Sequence, residues 1–230
     1  MSKVYETLLA MTKPSNLCAY AEHVIEWNHV AYRARNNVST PFDLQWGFIR
    51  EEFNELVDAL RVGDRIETID AACDLFVVAS YACYLKKPDC LREACTPSPS
   101  LVFTIGDLEH NLYGNMQDPA YVLKLVTALC YRLDINLDYN MSQVLHSNDS
   151  KYPELDDVLA LWPGKSRAEA LRQECKAIEE RSNGRYQGVS FREVTIDIRT
   201  PNVRGNRLVF FDNNGKIMKP STFVEPKIIA

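Results

Sequence analysis

Residues 49–79 read IREEFNELVDALRVGDRIETIDAACDLFVVA, and their periodicity decides the architecture. Apolar side chains recur at close to helical spacing at Ile49, Phe53, Leu56, Val57 and Leu60, then again at Ile66, Ile69, Cys73, Phe76 and Val77. Val62-Gly63-Asp64 interrupts the pattern and predicts a tight connection between two antiparallel helices. Each arm also carries carboxylates close to its apolar face: Glu51, Glu52 and Glu55 on the first, Asp70 and Asp74 on the second.

Helical rise converts these positions into heights. Glu55 stands roughly 12 Å before Gly63 and Asp70 roughly 10 Å after it, while Glu52 and Asp74 each stand roughly 16 Å away. An antiparallel pair therefore sets Glu55 level with Asp70, and Glu52 level with Asp74. Residues three or four apart share a helix face, so the four acids can form one cluster between the arms. Four such charges repel unless something cationic sits among them. A hard, oxygen-seeking ion, Mg²⁺ or Mn²⁺, suits them. The ordinary reading of charge beside an apolar stripe is a solvated face. Two acidic pairs at matched heights across one turn argue for a site.

Outward from this hairpin the chain is helical on both sides. Residues 17–36 form a first helix, with Ala21, Val24, Ile25, Ala31 and Tyr32 on its apolar face and Trp27-Asn28 near its middle. Asn28 offers a paired donor and acceptor that suit a nucleobase edge and equally suit a neighbouring backbone group. Asp43 is the expected N-cap of the helix bearing Glu51 to Glu55. Glu26 and His29 make one ExxH pair, but a di-iron carboxylate bundle needs two. His23, His110 and His146 do not supply the second, which favours exposed helix surface for the pair.

Downstream, a helix over 65–86 is followed by a surface connection containing Lys87-Pro88-Asp89 and Thr96-Pro97-Ser98-Pro99-Ser100. Helices are expected over 101–113 and 120–133, completing a bundle of four or five helices by residue 135. Asp138 is the expected cap of a short helix running into Ser147-Asn148-Asp149-Ser150-Lys151. The amide, hydroxyls and ammonium gathered there can hold phosphate oxygens, with Lys151 as a point charge, or can form a solvated helix end. The pattern is weak over 152–163, and 166–182 is a charged helix closed by Asn183-Gly184, either a subunit interface or cover.

Beyond Gly188 the period changes. Residues 189–191 and 194–198 alternate, 208–211 are strongly strand-forming, and Asp212-Asn213-Asn214-Gly215 is a hairpin turn into 216–219. The expected fold is mainly α: a helical bundle over 1–151 carrying the acidic site, then a helix with a small antiparallel β appendage over 152–230. Two or three strands are not stable alone, so the appendage must pack on the bundle or on a neighbouring subunit.

Composition narrows the class. With 46% hydrophobic residues in 230, the chain can bury a substantial core. A net charge of −5 disfavours general attraction to a nucleic acid polymer. Residues 1–14 lack the basic start and apolar core of a secretory signal, and no apolar run approaches the ~18 residues that span a bilayer. A cytoplasmic location without a membrane partner is expected. Seven cysteines without a CxxC pair are expected as reduced thiols, not a zinc site.

Three blocks resemble the MazG-like all-α nucleoside triphosphate pyrophosphohydrolases, phage-type members in particular. Glu51-Glu52-Phe53-Asn54-Glu55-Leu56 is similar to the family's ExxE helix, and Ile69-Asp70-Ala71-Ala72-Cys73-Asp74-Leu75 to its second acidic motif. Ser147 to Lys151 and Asn214 to Pro220 resemble the SNxSK and DGKxxKP segments of phage-type members. Many members carry ExxD in the second motif, whereas here the acids are Asp70 and Asp74; Glu67 with Asp70 also fits that spacing. The resemblance implies a MazG-like bundle that hydrolyses a (deoxy)nucleoside triphosphate, with a guanine nucleotide first in line, to the monophosphate and pyrophosphate. It implies Mg²⁺ (or Mn²⁺) on Glu52, Glu55, Asp70 and Asp74, with Glu51 orienting or deprotonating the attacking water. Asn148, Lys151, Lys216 and Lys219 would hold phosphates; Trp27, Asn28 and Trp46 would meet base and sugar. It also implies a homodimer or homotetramer, in the host cytoplasm for a phage-encoded chain. The alternative is a non-catalytic nucleotide-sensing or partner-binding bundle.

Overall fold

The computed structural model describes residues 16–36, 38, 40–96, 104–197 and 204–230. Among these the protein is mainly helical, with nine α-helices and one two-stranded antiparallel sheet. The readings of residues 1–14, of Pro97 to Ser100, of the start of the 101–113 helix and of Ile198 lie outside the described residues.

Helix α1 spans Leu17–Ala34, α2 Phe42–Val62 and α3 Arg65–Lys86. Gly63 closes α2 at φ 72°, a left-handed conformation that costs glycine little, and Asp64 caps α3 by accepting from the Glu67 amide at 3.1 Å. The turn at Val62-Gly63-Asp64 is thus the tight connection expected. Helix α2 begins at Phe42 with Pro41 as its cap, so Asp43 falls in the first turn and is not the N-cap. There its charge still meets the positive end of the helix.

After a short 3-10 turn, α4 (Leu91–Ala94) leads to α5 (Ile105–Tyr113), α6 (Pro119–Arg132) and α7 (Leu137–Asp149). The Asn136 side chain, not Asp138, caps α7, because it reaches the Tyr139 amide at 3.1 Å. Helix α3 is the centre of the bundle and packs against α1, α2, α6 and α7. Ile69, Ala72, Cys73, Leu75, Phe76 and Ala79 are fully buried on it. By length and composition alone α3 is apolar enough to cross a bilayer, which corrects the expectation that no run comes near that limit. Within the fold 67% of the qualifying stretch is buried against other elements.

The C-terminal part adds α8 (Leu155–Ala160), α9 (Arg167–Arg181), β1 (Ser190–Asp197) and β2 (Arg204–Phe211). Ser166 and Glu169 close a reciprocal capping box at the start of α9. The strands pair from Ser190 opposite Phe211 to Asp197 opposite Arg204, one continuous ladder in place of shorter alternating runs. Alternation lets this narrow sheet bury both faces. Leu208 and Phe210 join Val158, Leu171, Ile178 and Met218, while Val209 joins Val30, Ala34 and Tyr152. Helix α9 covers one face of the sheet, and α1 meets the other. Asp212 turns the chain by accepting from the amides of Asn214 and Lys216, and Ile217 returns to bridge Phe211.

From Met218 onward the chain takes no regular structure, yet it is tied along its length. The Met218 amide donates to the Phe210 carbonyl at 2.9 Å, that of Ser221 to Glu174 at 2.6 Å and that of Val224 to the Ser150 hydroxyl at 3.0 Å. Ile228 packs on the main core, and Ile229 exchanges two hydrogen bonds with the Asn140 amide.

Candidate active site

Burial of Ile49, Phe53 and Leu56 on α2 against Ile69, Cys73 and Phe76 on α3 sets the rotation of both arms. That rotation leaves Glu52, Asp70 and Asp74 half-buried at the edge of the packed face, with Glu51, Glu55 and Glu67 exposed. Burial pushes the Glu52 carboxyl up to about 8, followed by the negative charges of Asp74, Glu55, Glu51 and Asp70. Asp74 is pushed up to about 6 by burial and by Asp70 and Glu55, against the pull of Lys151 and Lys219. Asp70 is raised by burial and by Glu67, again against Lys219. The four acids expected to share a site therefore feel one another across the hairpin, and two lysines distant in sequence face them.

Lys151 follows the end of α7 and is held there on several sides. Its ammonium donates to the Asn148 side chain at 2.7 Å and lies 5.6 Å from the Trp27 ring centre and 6.0 Å from that of Phe223. Burial lowers its pKa to about 8, partly offset by Asp74. The turn carrying it is fixed to α1. Trp27 Nε1 donates to the Asn148 carbonyl at 2.9 Å, the Tyr152 hydroxyl donates to the Trp27 carbonyl at 3.0 Å, and the two rings stack at 4.9 Å. His23 Nε2 sits 2.7 Å from Asp149 Oδ1, and neither side chain is much exposed.

Lys219 and Lys216 come from the segment after the sheet. Lys219 lies 4.3 Å from the Phe223 ring centre and pairs with Glu225 at 3.2 Å; Lys216 lies 5.2 Å from the Tyr186 ring centre. Both lysines act on Lys151, and Lys219 also acts on Asp70 and Asp74.

Other expected participants sit differently. Trp46 is buried in the main core with its indole N–H on the Leu112 carbonyl, which removes it from base and sugar. Asn28 donates its amide to the Val24 carbonyl one turn back, the backbone role that competed with base reading. Trp27 spends its indole N–H and much of its ring on the Asn148 to Tyr152 turn. Glu26 and His29 are half-buried, not exposed surface; His29 packs edge-on against Tyr84, and Glu26 Oε2 is buried without a hydrogen-bond partner. Ile66 is 44% exposed, so it leaves the apolar face assigned to it.

Sequence reading missed His23, Asp149, Tyr152, Phe223 and Glu225. His23 and Asp149 are 126 residues apart, and no local pattern connects them. Phe223 and Glu225 follow Lys219 closely, and the carboxylate six residues on was a usable sign of pairing.

A divalent cation fits this set by its chemistry: the facing donors are carboxylate oxygens, partly desolvated, and burial together with their excess negative charge raises Glu52 to about 8. As the side chains stand, no three His, Cys, Asp or Glu among the described residues are drawn together tightly enough to hold a metal ion. All seven cysteines are free thiols. No protein-family model matches the chain, and neither curated proteins nor solved structures give a match.

Proposed function

We propose that the protein is a metal-dependent nucleoside triphosphate pyrophosphohydrolase of the MazG-like, phage-type kind, yielding a nucleoside monophosphate and pyrophosphate. The observation that carries this reading is the mutual electrostatic influence of Glu52, Glu55, Asp70 and Asp74 on the α2–α3 hairpin, with Lys151 and Lys219 acting on Asp74. A carboxylate cluster with no cations would repel a polyphosphate; one faced by lysines and loaded with a hard ion attracts it.

The acids Glu52, Glu55, Asp70 and Asp74 would hold Mg²⁺, or Mn²⁺ in its place. Bound there, the ion supplies charge neutralisation at the phosphoryl oxygens and a more acidic water. The chain's own groups do the rest. Lys151, oriented by Asn148, and Lys219 with Lys216 bind the outer phosphates as point charges. Water adds to the α-phosphorus while the bond to the bridging oxygen breaks, so pyrophosphate departs and the monophosphate keeps the new oxygen. Glu51, exposed beside Glu52, would orient that water or take its proton. Trp27 serves the site by fixing the Lys151 turn.

The function belongs to nucleotide-pool control in the cytoplasm, host cytoplasm for a phage protein, in a homodimer or homotetramer. The test is pyrophosphate release from a panel of ribo- and deoxynucleoside triphosphates with Mg²⁺, guanine nucleotides first. Turnover of at least one, lost in Glu55→Gln and Asp74→Asn, is expected. Binding without turnover of any would leave the protein as a nucleotide-sensing bundle.

A further inference from the structure

The segment after the sheet runs as a strap beside the acidic site, near enough for the charges of Lys219 and Glu225 to bear on Asp70. One end is fixed where Met218 bonds to Phe210 and the other where Ile229 is clasped by Asn140. Between them Ser221 is tied to Glu174 on α9, and Val224 to Ser150 beside Lys151. These ties fix the part that carries Lys219, Phe223 and Glu225. The Lys219 ammonium donates to both carboxylate oxygens of Glu225, at 3.2 and 3.3 Å, and lies over Phe223. Glu225 is in turn close enough to Asp70 and Lys151 for its charge to bear on both.

Such a carboxylate is out of place in a site for polyanions. The hairpin already carries Glu52, Glu55, Asp70 and Asp74, with Glu51 and Glu67 beside them, and one more acid comes from the chain's own tail, paired with a lysine that an incoming phosphate needs. The geometry points to Glu225 as an internal stand-in for a phosphate: a latch that occupies Lys219 in the free protein and must yield it when a polyphosphate enters. The inference rests on the reading of Lys219 as a phosphate-binding residue. It makes Glu225 a selectivity residue, because a ligand must offer more charge than one carboxylate to displace it. A triphosphate does so across several oxygens; a monophosphate product gains little and leaves readily.

The exposed ion pair sets the scale, and its loss is expected to change affinity about two- to five-fold. The experiment is titration calorimetry of inorganic tripolyphosphate and inorganic phosphate, with Mg²⁺, into the full chain and into Glu225→Gln and Lys219→Gln; thermal melts verify folding. Tighter tripolyphosphate binding in Glu225→Gln, with a larger relative gain for phosphate and weaker binding in Lys219→Gln, is expected. Equal affinity of the wild type and Glu225→Gln would overturn the latch while leaving the enzymatic reading to the substrate panel. Weaker binding in Glu225→Gln would also overturn it, by making Glu225 a supporting residue. Absence of tripolyphosphate binding in every protein would overturn the latch, and the hydrolysis panel would then decide the enzymatic reading by itself.

Discussion

The indole Nε1 of Trp27 donates to the main-chain carbonyl of Asn148 at 2.9 Å, joining the middle of α1 to the end of α7 across 121 residues of sequence. The bond fixes the turn from which Lys151 faces the acids of the α2–α3 hairpin. Trp27→Phe keeps a ring to stack on Tyr152 while removing this donor and part of the indole's packing area. It should cost about 0.5–1.5 kcal/mol in chemical denaturation and raise KM for the triphosphate more than it lowers kcat.

Asp74 and Glu67 are the two candidates for the last place in the proposed acidic set. Asp74 is half-buried and faces Lys151 and Lys219, whereas Glu67 is exposed in the first turn of α3. Asp74→Asn should therefore lower kcat by about 10²–10³-fold, as loss of a central electrostatic group does. Glu67→Gln should stay within a few-fold of the wild type. Steady-state pyrophosphate release compares them.

Metal-free protein should lose stability as pH rises. Glu52 sits at about 8 and Asp74 at about 6 in the folded chain, both above their ordinary values of 4.5 and 3.8. The folded state thus holds protons that the unfolded state has released. The loss begins above the unfolded values and continues until the folded values are passed, so thermal midpoints should fall between pH 5 and pH 8 in chelator. Added Mg²⁺ should reverse most of the decline at pH 8 and release protons at pH 7, measurable in weakly buffered solution. Glu52→Gln should flatten the profile.

The rotation of the hairpin arms can be tested by two truncations. Leu56 is fully buried and Ile66 is 44% exposed, although both belong to the apolar runs of the sequence. Leu56→Ala should cost about 2–5 kcal/mol, and Ile66→Ala no more than about 0.5 kcal/mol. Urea midpoints distinguish them.

Glu174 is a wholly buried carboxylate on α9 that accepts from the Ser221 amide at 2.6 Å and from Trp162 Nε1 at 3.3 Å, with Arg181 at 3.7 Å. Glu174→Ala orphans both donors and should cost about 1–3 kcal/mol. It also frees the middle of the strap, so hydrogen exchange around Ser221 should accelerate more than exchange in α3.

Much of this fold was legible because helices announce themselves locally. Ile49, Phe53 and Leu56, with Ile69, Cys73 and Phe76, gave the hairpin and its buried face from period alone, and Gly63 gave the turn. Caps were less legible: Asp43 and Asp138 have the right chemistry two residues late, because Pro41 and Asn136 start their helices first. The acids were readable as pairs because one turn relates them by counting. The lysines were not, since nothing local carries Lys151 or Lys219 to Asp74; only the resemblance of their segments proposed it. Trp27 and Trp46 show the limit most clearly. Both are aromatic and both were candidates for a base, yet one clamps a turn and the other fills the core, a difference set by tertiary neighbours.

Gly63 acts as the origin from which both acidic pairs are measured. A residue inserted between Glu55 and Gly63 would turn Glu52 and Glu55 by about 100° and shift them about 1.5 Å relative to Asp70 and Asp74. Substitutions at exposed positions between these landmarks leave the count untouched. The hairpin should therefore drift freely in composition through descent while tolerating almost no change in length, and the interval from Glu55 to Asp70 becomes a more durable signature of this protein than most of the residues inside it.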